Sequence, residues 1–115
     1  MDRVDLNNWQ SQIRKGLLDA VVLNFLRHGR CHGYELVQTL KKIEVLKIRE
    51  SNIYPILARL ETDGLVKCSQ EQSQDGPPRK YYEITKSGEK AVDEMNRHLE
   101  QIMEGIRIIR EGGCK

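Results

Sequence analysis

The 115-residue chain is poor in aromatic residues, with four Tyr, one Phe and one Trp. So small a set offers little material for an aromatic cage around a drug-like ligand. No apolar run approaches the ~20 residues needed to span a bilayer, and the start lacks the basic-then-apolar pattern of a secretion signal. Three cysteines, Cys31, Cys68 and Cys114, form an odd set with no close pair, so no disulfide framework is indicated. The expectation is a reduced, cytoplasmic protein with free thiols and no membrane partner. A large excess of one charge is also lacking: 19 Lys and Arg against 17 Asp and Glu leave +2. The chain is therefore no polycation, and any nucleic-acid binding has to arise from where its cations sit. No glycine-rich phosphate loop, nucleophile elbow or metal-hydrolase helix motif is found, so no enzyme and no cofactor are expected. Carboxylates are scattered among basic residues on helix faces, where they make solvated pairs.

What is present is periodic. The length suits one small domain, whose limited core would gain from dimerisation. From about Ser11 to His28 the apolar positions Ile13, Leu17, Leu18, Val21, Val22, Phe25 and Leu26 follow helical spacing. Ala20 and Leu23 fill the opposite side, and a helix apolar nearly all round expects cover nearly all round. A second helix is predicted over Gly33–Ile43, with Leu36, Val37, Leu40 and Ile43 facing inward. Glu44–Glu50 is a linker whose Val45, Leu46 and Ile48 alternate like a short extended strand. A third helix is predicted over Ser51–Asp63, capped by Ser51, with Ile53, Ile56, Leu57 and Leu60 inward and Gly64 as its stop. The period then changes: 65–69 and 80–84 are β-favouring, around a polar loop containing Asp75-Gly76-Pro77-Pro78. This predicts a hairpin with a long, stiffened tip.

Thr85 caps a last helix that runs to about Glu111, with Gly88 tolerated near its start. Val92, Met95, Leu99, Ile102, Ile106 and Ile109 alternate spacings of three and four, the seam of a coiled coil. Packing against a second subunit is the favoured reading of this dimer interface, with the first helix sharing it. An amphipathic helix lying on its own domain is the other. The fold class that results is mainly α with a small β-hairpin: a winged helix-turn-helix plus a C-terminal dimerisation helix. Residues 1–84 form the winged part and 85–115 the last helix, within one compact unit.

Five strings in order strengthen this. They are His32-Gly33-Tyr34-Glu35-Leu36, Asn52-Ile53-Tyr54-Pro55-Ile56-Leu57-Ala58-Arg59-Leu60-Glu61, Asp63-Gly64-Leu65-Val66, Gly76-Pro77-Pro78-Arg79-Lys80-Tyr81-Tyr82 and Ile84-Thr85-Lys86-Ser87-Gly88. Together they resemble the PadR family of bacterial transcriptional regulators, in its short branch with a single C-terminal helix. The resemblance implies a homodimeric repressor of operator DNA, released by a small hydrophobic or phenolic effector held between subunits.

On the third helix, Ser51, Asn52, Tyr54, Pro55 and Arg59 occupy the outer side and suit DNA contact: Asn pairs with adenine, Arg with guanine or phosphate, and hydroxyls with phosphate. Pro55 breaks a helix rule, which marks either a functional site or a helix-entry device. Arg79, Lys80 and Tyr81 of the wing suit a minor groove or backbone, and Arg14 with Lys15 adds backbone contacts; Lys47 and Arg49 raise the local potential. Trp9, Phe25, Met95 and Leu99 are the candidates for an effector pocket, although a lone Trp more often anchors packing. His28, Cys31 and His32, with His98, have the residue types of a metal site but lack a second close ligand pair, so polar turn roles are preferred and no metal is assigned. Cys68 has a placement compatible with oxidation, but placement alone does not make a thiol reactive. The competing function is a protein-interaction module that keeps the fold without binding DNA, favoured by the near-neutral charge.

Overall fold

The computed structural model describes residues 5–113. Cys114 lies outside them. Helix α1 (Leu6–Leu26) starts at Asp5, whose Oδ1 accepts the Asn8 N–H at 3.2 Å. It therefore begins about a turn before the apolar pattern does, and Trp9 lies on the helix. Strand β1 (Cys31–His32) follows, then α2 (Gly33–Leu40), capped by His32 through Nδ1 accepting the Glu35 N–H at 3.3 Å. Helix α3 (Glu50–Thr62), strands β2 (Val66–Ser73) and β3 (Gly76–Ile84), and α4 (Lys86–Arg110) complete the chain.

One core joins these elements. Val22, Leu23 and Leu26 of α1, Leu36 and Val37 of α2, Ile53, Leu57 and Leu60 of α3, Val66 of β2, Tyr82 of β3 and Val92 of α4 are buried together. The all-round apolar character of α1 belongs to its second half, which is indeed enclosed. Its first half leaves Leu6, Trp9 and Ile13 exposed. A reciprocal amide pair then locks α1 to α4: Asn24 Nδ2 donates to Asn96 Oδ1 at 2.9 Å and Asn96 Nδ2 to Asn24 Oδ1 at 2.8 Å. Arg27 and Asp93 pair one turn further on.

Several sequence expectations are corrected. Helix α2 stops at Leu40 and Ile43 is exposed, because the chain turns there into the connection. That connection is no strand: Glu44–Leu46 forms a single 3₁₀ turn, and Lys47 takes the left-handed conformation at φ 51°. Only Ile48 of its apolar residues is buried, as the anchor that returns the chain to the core. The third strand of the sheet comes instead from β1, giving the antiparallel order β1-β3-β2. Two residues are too short a run to show alternation in a sequence.

The wing is longer and its tip tighter than the sequence suggests. Pairing runs from Val66↔Ile84 out to Ser73↔Gly76, leaving only Gln74 and Asp75 as the turn. Between Glu71↔Arg79 and Ser73↔Gly76, β3 uses one residue more than β2, so Pro77 and Pro78 sit in a bulge. Prolines suit that place because they have no N–H for the ladder.

Candidate nucleic-acid interface

The helix α3 begins at Glu50 with Arg49 as N-cap, so Ser51 sits inside the first turn and does not cap. Capping falls to Asn52. Its Oδ1 accepts the Arg49 N–H at 3.0 Å and its Nδ2 donates to the Lys47 carbonyl at 3.1 Å, which explains the left-handed turn at Lys47. Ile53, Ile56, Leu57 and Leu60 hold the helix on the core, with Gly64, at φ 78°, ending it. Opposite this stripe Ser51, Pro55, Ala58 and Thr62 are exposed. Arg59 lies to one side, hydrogen-bonded to Asp19 of α1, which holds its guanidinium pKa above the ordinary value.

Tyr54 lies on the other flank, against the wing. Here a cleft of about 570 Å³ opens between α2, α3 and β3, lined by His32, Gly33, Tyr34, Tyr54, Arg79, Lys80 and Tyr82. Gly33 is required for it: a Cβ there would stand 2.9 Å from Tyr54 Cε1 and 3.2 Å from Tyr82 Cε2. Burial raises the Tyr54 pKa, with Glu50 adding to the effect, and pushes Tyr82 up to about 12. Both are therefore neutral hydroxyls at physiological pH, able to donate hydrogen bonds. The cleft thus presents two cations, the exposed phenols of Tyr34 and Tyr54 and the first turn of α2 on one side of the molecule, with Tyr82 buried at its base, a set suited to phosphate oxygens. From the sequence Tyr34 and Gly33 take no site role and His32 only a turn role, because nothing in it shows that the start of α2 meets the wing.

On the other face of the wing Tyr81 lies under Arg30, whose Cζ is 4.3 Å from the ring centroid, and edge-on to His32 at 5.6 Å. Arg30 in turn pairs with Glu71, the cross-strand neighbour of Arg79. Of the remaining basic candidates, Arg14 and Lys47 lie elsewhere, in a groove with Trp9, Gln10, Ile13 and Val45.

Of the candidate effector residues, Trp9 does not reach the others within one chain. Trp9 is sixteen residues before Phe25 on α1, about 24 Å at the ideal helical rise, and is 59% exposed. Phe25 and Met95 pack half-buried against the core and Leu99 is half-buried nearby. Of the seam on α4, Val92 is fully enclosed in its own domain and seats the helix there. Ile102, Met103, Ile106 and Ile109 are exposed. Cys31 is buried, and the desolvation pushes its pKa up to about 11, with Glu35 contributing, so it is an inert core thiol. Among the described residues no three of His, Cys, Asp and Glu converge on a metal position, and none of the helices is long and apolar enough to cross a membrane.

Three helices, a short third strand, a two-stranded wing and a terminal helix define a winged helix-turn-helix regulator. Residues 22–94, more than half of the chain, match the transcriptional regulator PadR-like family, and the chain belongs to it. It is 36% identical over 90 residues to the transcriptional regulator Rv3488 of Mycobacterium tuberculosis, covering 76% of this chain and 82% of that protein. The crystal structure of a PadR family transcriptional regulator from Eggerthella lenta superposes with a TM-score of 0.83 at 28% identity, covering 92% of each chain. A PadR-like transcriptional regulator from Bacillus cereus gives 0.74 at 30% identity, covering 85% of this chain and 95% of that one.

Proposed function

We propose that the protein is a cytoplasmic, homodimeric repressor that binds double-stranded operator DNA, with α3 in the major groove and the wing cleft on the backbone. The observation that carries this reading is the cleft of Tyr54, Arg79 and Lys80 beside the exposed outer side of α3. Together they offer phosphate donors next to a helix of the right dimensions for the groove. The exposed apolar residues of α4 and of the first half of α1 supply the dimer surface, and a two-fold dimer matches paired half-sites. A small hydrophobic or phenolic effector would lie between subunits, beside Phe25, Met95 and Leu99, where α1 and α4 meet.

The test is fluorescence anisotropy with the DNA upstream of the protein's own gene. Affinity is expected to fall steeply with salt as phosphate contacts release counterions. Arg79→Ala is expected to reduce the slope of log K against log salt by about one. Tyr54→Ala is expected to weaken binding on the order of tenfold, the loss of a hydrogen bond to a charged group. Unchanged affinity in both variants would remove these residues from the interface. A stable dimer that captures a protein partner and binds neither this DNA nor genomic fragments would favour the interaction-module reading instead.

A second prediction concerns Glu71, which holds Arg30 and faces Arg79. Glu71→Gln leaves Arg30 without its carboxylate and removes a negative charge opposite Arg79, so DNA binding is expected to tighten severalfold and its salt slope to steepen by about one. Weaker binding in this variant would show that the Arg30–Glu71 pair is needed to hold the wing in place.

A further inference from the structure

The outer crest of α3 has a composition that limits how it can read DNA. Ser51, Pro55, Ala58 and Thr62 follow one another at spacings of four, three and four, opposite the buried Ile53, Ile56, Leu57 and Leu60, and all four are exposed. This is the line that a groove-bound helix presents to base edges. It contains no Asn, Gln, Arg or Lys, the side chains that make bidentate contacts with adenine and guanine.

The two such residues that α3 does carry are on its flanks and already engaged. Asn52 uses its oxygen on the Arg49 N–H and its nitrogen on the Lys47 carbonyl. Arg59 is drawn towards α1 by Asp19. On the crest itself the Thr62 hydroxyl donates to the Ala58 carbonyl at 3.1 Å, and Pro55 has no N–H. Ser51 at the first turn is the one polar side chain left there. The rest of the line is the Ala58 methyl, the Pro55 ring and the Thr62 side chain with its methyl.

Small apolar groups have one specific counterpart in the major groove, the C5-methyl of thymine. We infer that α3 reads its site chiefly through apolar contact with thymine methyl groups, with Ala58 the central reader and Pro55 and Thr62 on either side. The inference rests on the DNA-binding reading above and adds which chemical feature of the DNA is recognised. The short side chains also bring the helix close to the groove floor, where a longer residue would hold it off. Polar contacts then come from Tyr54, Arg79 and Lys80, which position the helix without carrying sequence information. The methyl lies on one strand only, so such contacts distinguish T·A from A·T as well as from G·C pairs.

The experiment uses the full-length dimer and the DNA segment it protects in footprinting. Every thymine in that segment is replaced by deoxyuridine, which removes the C5-methyl and keeps the base pairing. Affinity is expected to fall about fourfold per contacted methyl, the transfer of about one buried methylene. Across two half-sites the fall is expected to be at least about tenfold, with the salt slope unchanged because phosphate contacts persist. Ala58→Gly and Ala58→Ser are both expected to bring the thymine-to-uracil affinity ratio towards one; the serine variant guards against helix weakening by glycine. Equal affinity of the wild-type protein for the two duplexes, with salt-dependent binding intact, would overturn methyl reading and leave DNA binding standing. Absence of salt-dependent binding to any DNA would overturn both.

Discussion

Gly88→Ala is expected to cost about 3 kcal/mol and to lower the melting temperature by about 10–20 °C. A Cβ at this position would stand 2.2 Å from the Leu65 carbonyl oxygen and 2.7 Å from Ile84 Cγ1. The first of these atoms is backbone and cannot rotate away. It is also committed, accepting the Thr85 N–H at 3.1 Å, while the Thr85 hydroxyl donates to the Gly64 carbonyl at 2.7 Å and accepts the Gly88 N–H at 3.0 Å. Shifting α4 to admit a methyl therefore breaks its cap and its attachment to the wing together. Glycine here is a steric requirement of the junction, where its place in the helix alone suggests mere tolerance. Gly16→Ala is the control: a Cβ there meets nothing within 4 Å, so the swap is expected to stabilise by up to about 1 kcal/mol. Calorimetry at one fixed concentration compares the two, since melting of a dimer depends on concentration. A Gly88→Ala protein that melts with wild type would show that the α3–β2 turn gives way at no cost.

Ile102→Asp combined with Ile106→Asp is expected to dissociate the proposed dimer by more than about a thousandfold, from burial of two unpaired carboxylates. Both residues are exposed in the single chain, so the substitutions leave the protomer's own core intact. Val92 would be a poorer choice, being enclosed already, as would the half-buried Leu99. Light scattering is expected to give the mass of one chain, and operator affinity to fall on the order of a hundredfold once the two half-sites no longer share a ligand. An undiminished dimer would move the interface away from the C-terminal half of α4.

The main helices were legible because their cores repeat at helical spacing, and the wing strands because the period shifts at Leu65. What escaped the sequence has a common cause. Strand β1 consists of two residues and exists only because Tyr81 and Tyr82 offer it a partner. Ile43 and Val45 look like core by type, yet the Lys47 turn, fixed by Asn52, leaves them in solvent. The seam on α4 reads as one stripe, and only the packing shows that Val92 belongs to the chain's own core while Ile102–Ile109 does not. Candidate site residues divided likewise: Tyr54, Arg79 and Lys80 share a cleft, whereas Arg59 is held by Asp19, Asn52 is spent on capping and Trp9 stays exposed at the start of α1.

The bulge at Pro77 and Pro78 bears on how the protein behaves at high concentration. β1 covers β3 only at Tyr81 and Tyr82, so the outer part of β3 is an open sheet edge. An open edge invites a strand from a neighbouring molecule, the first step of aggregation. Neighbouring N–H groups along a strand point to opposite sides, so the proline pair removes a donor from this edge, and the bulge takes the edge out of register. On the β3 side of the wing the bulge therefore discourages pairing with other copies of the chain, while the outer edge of β2 keeps its donors.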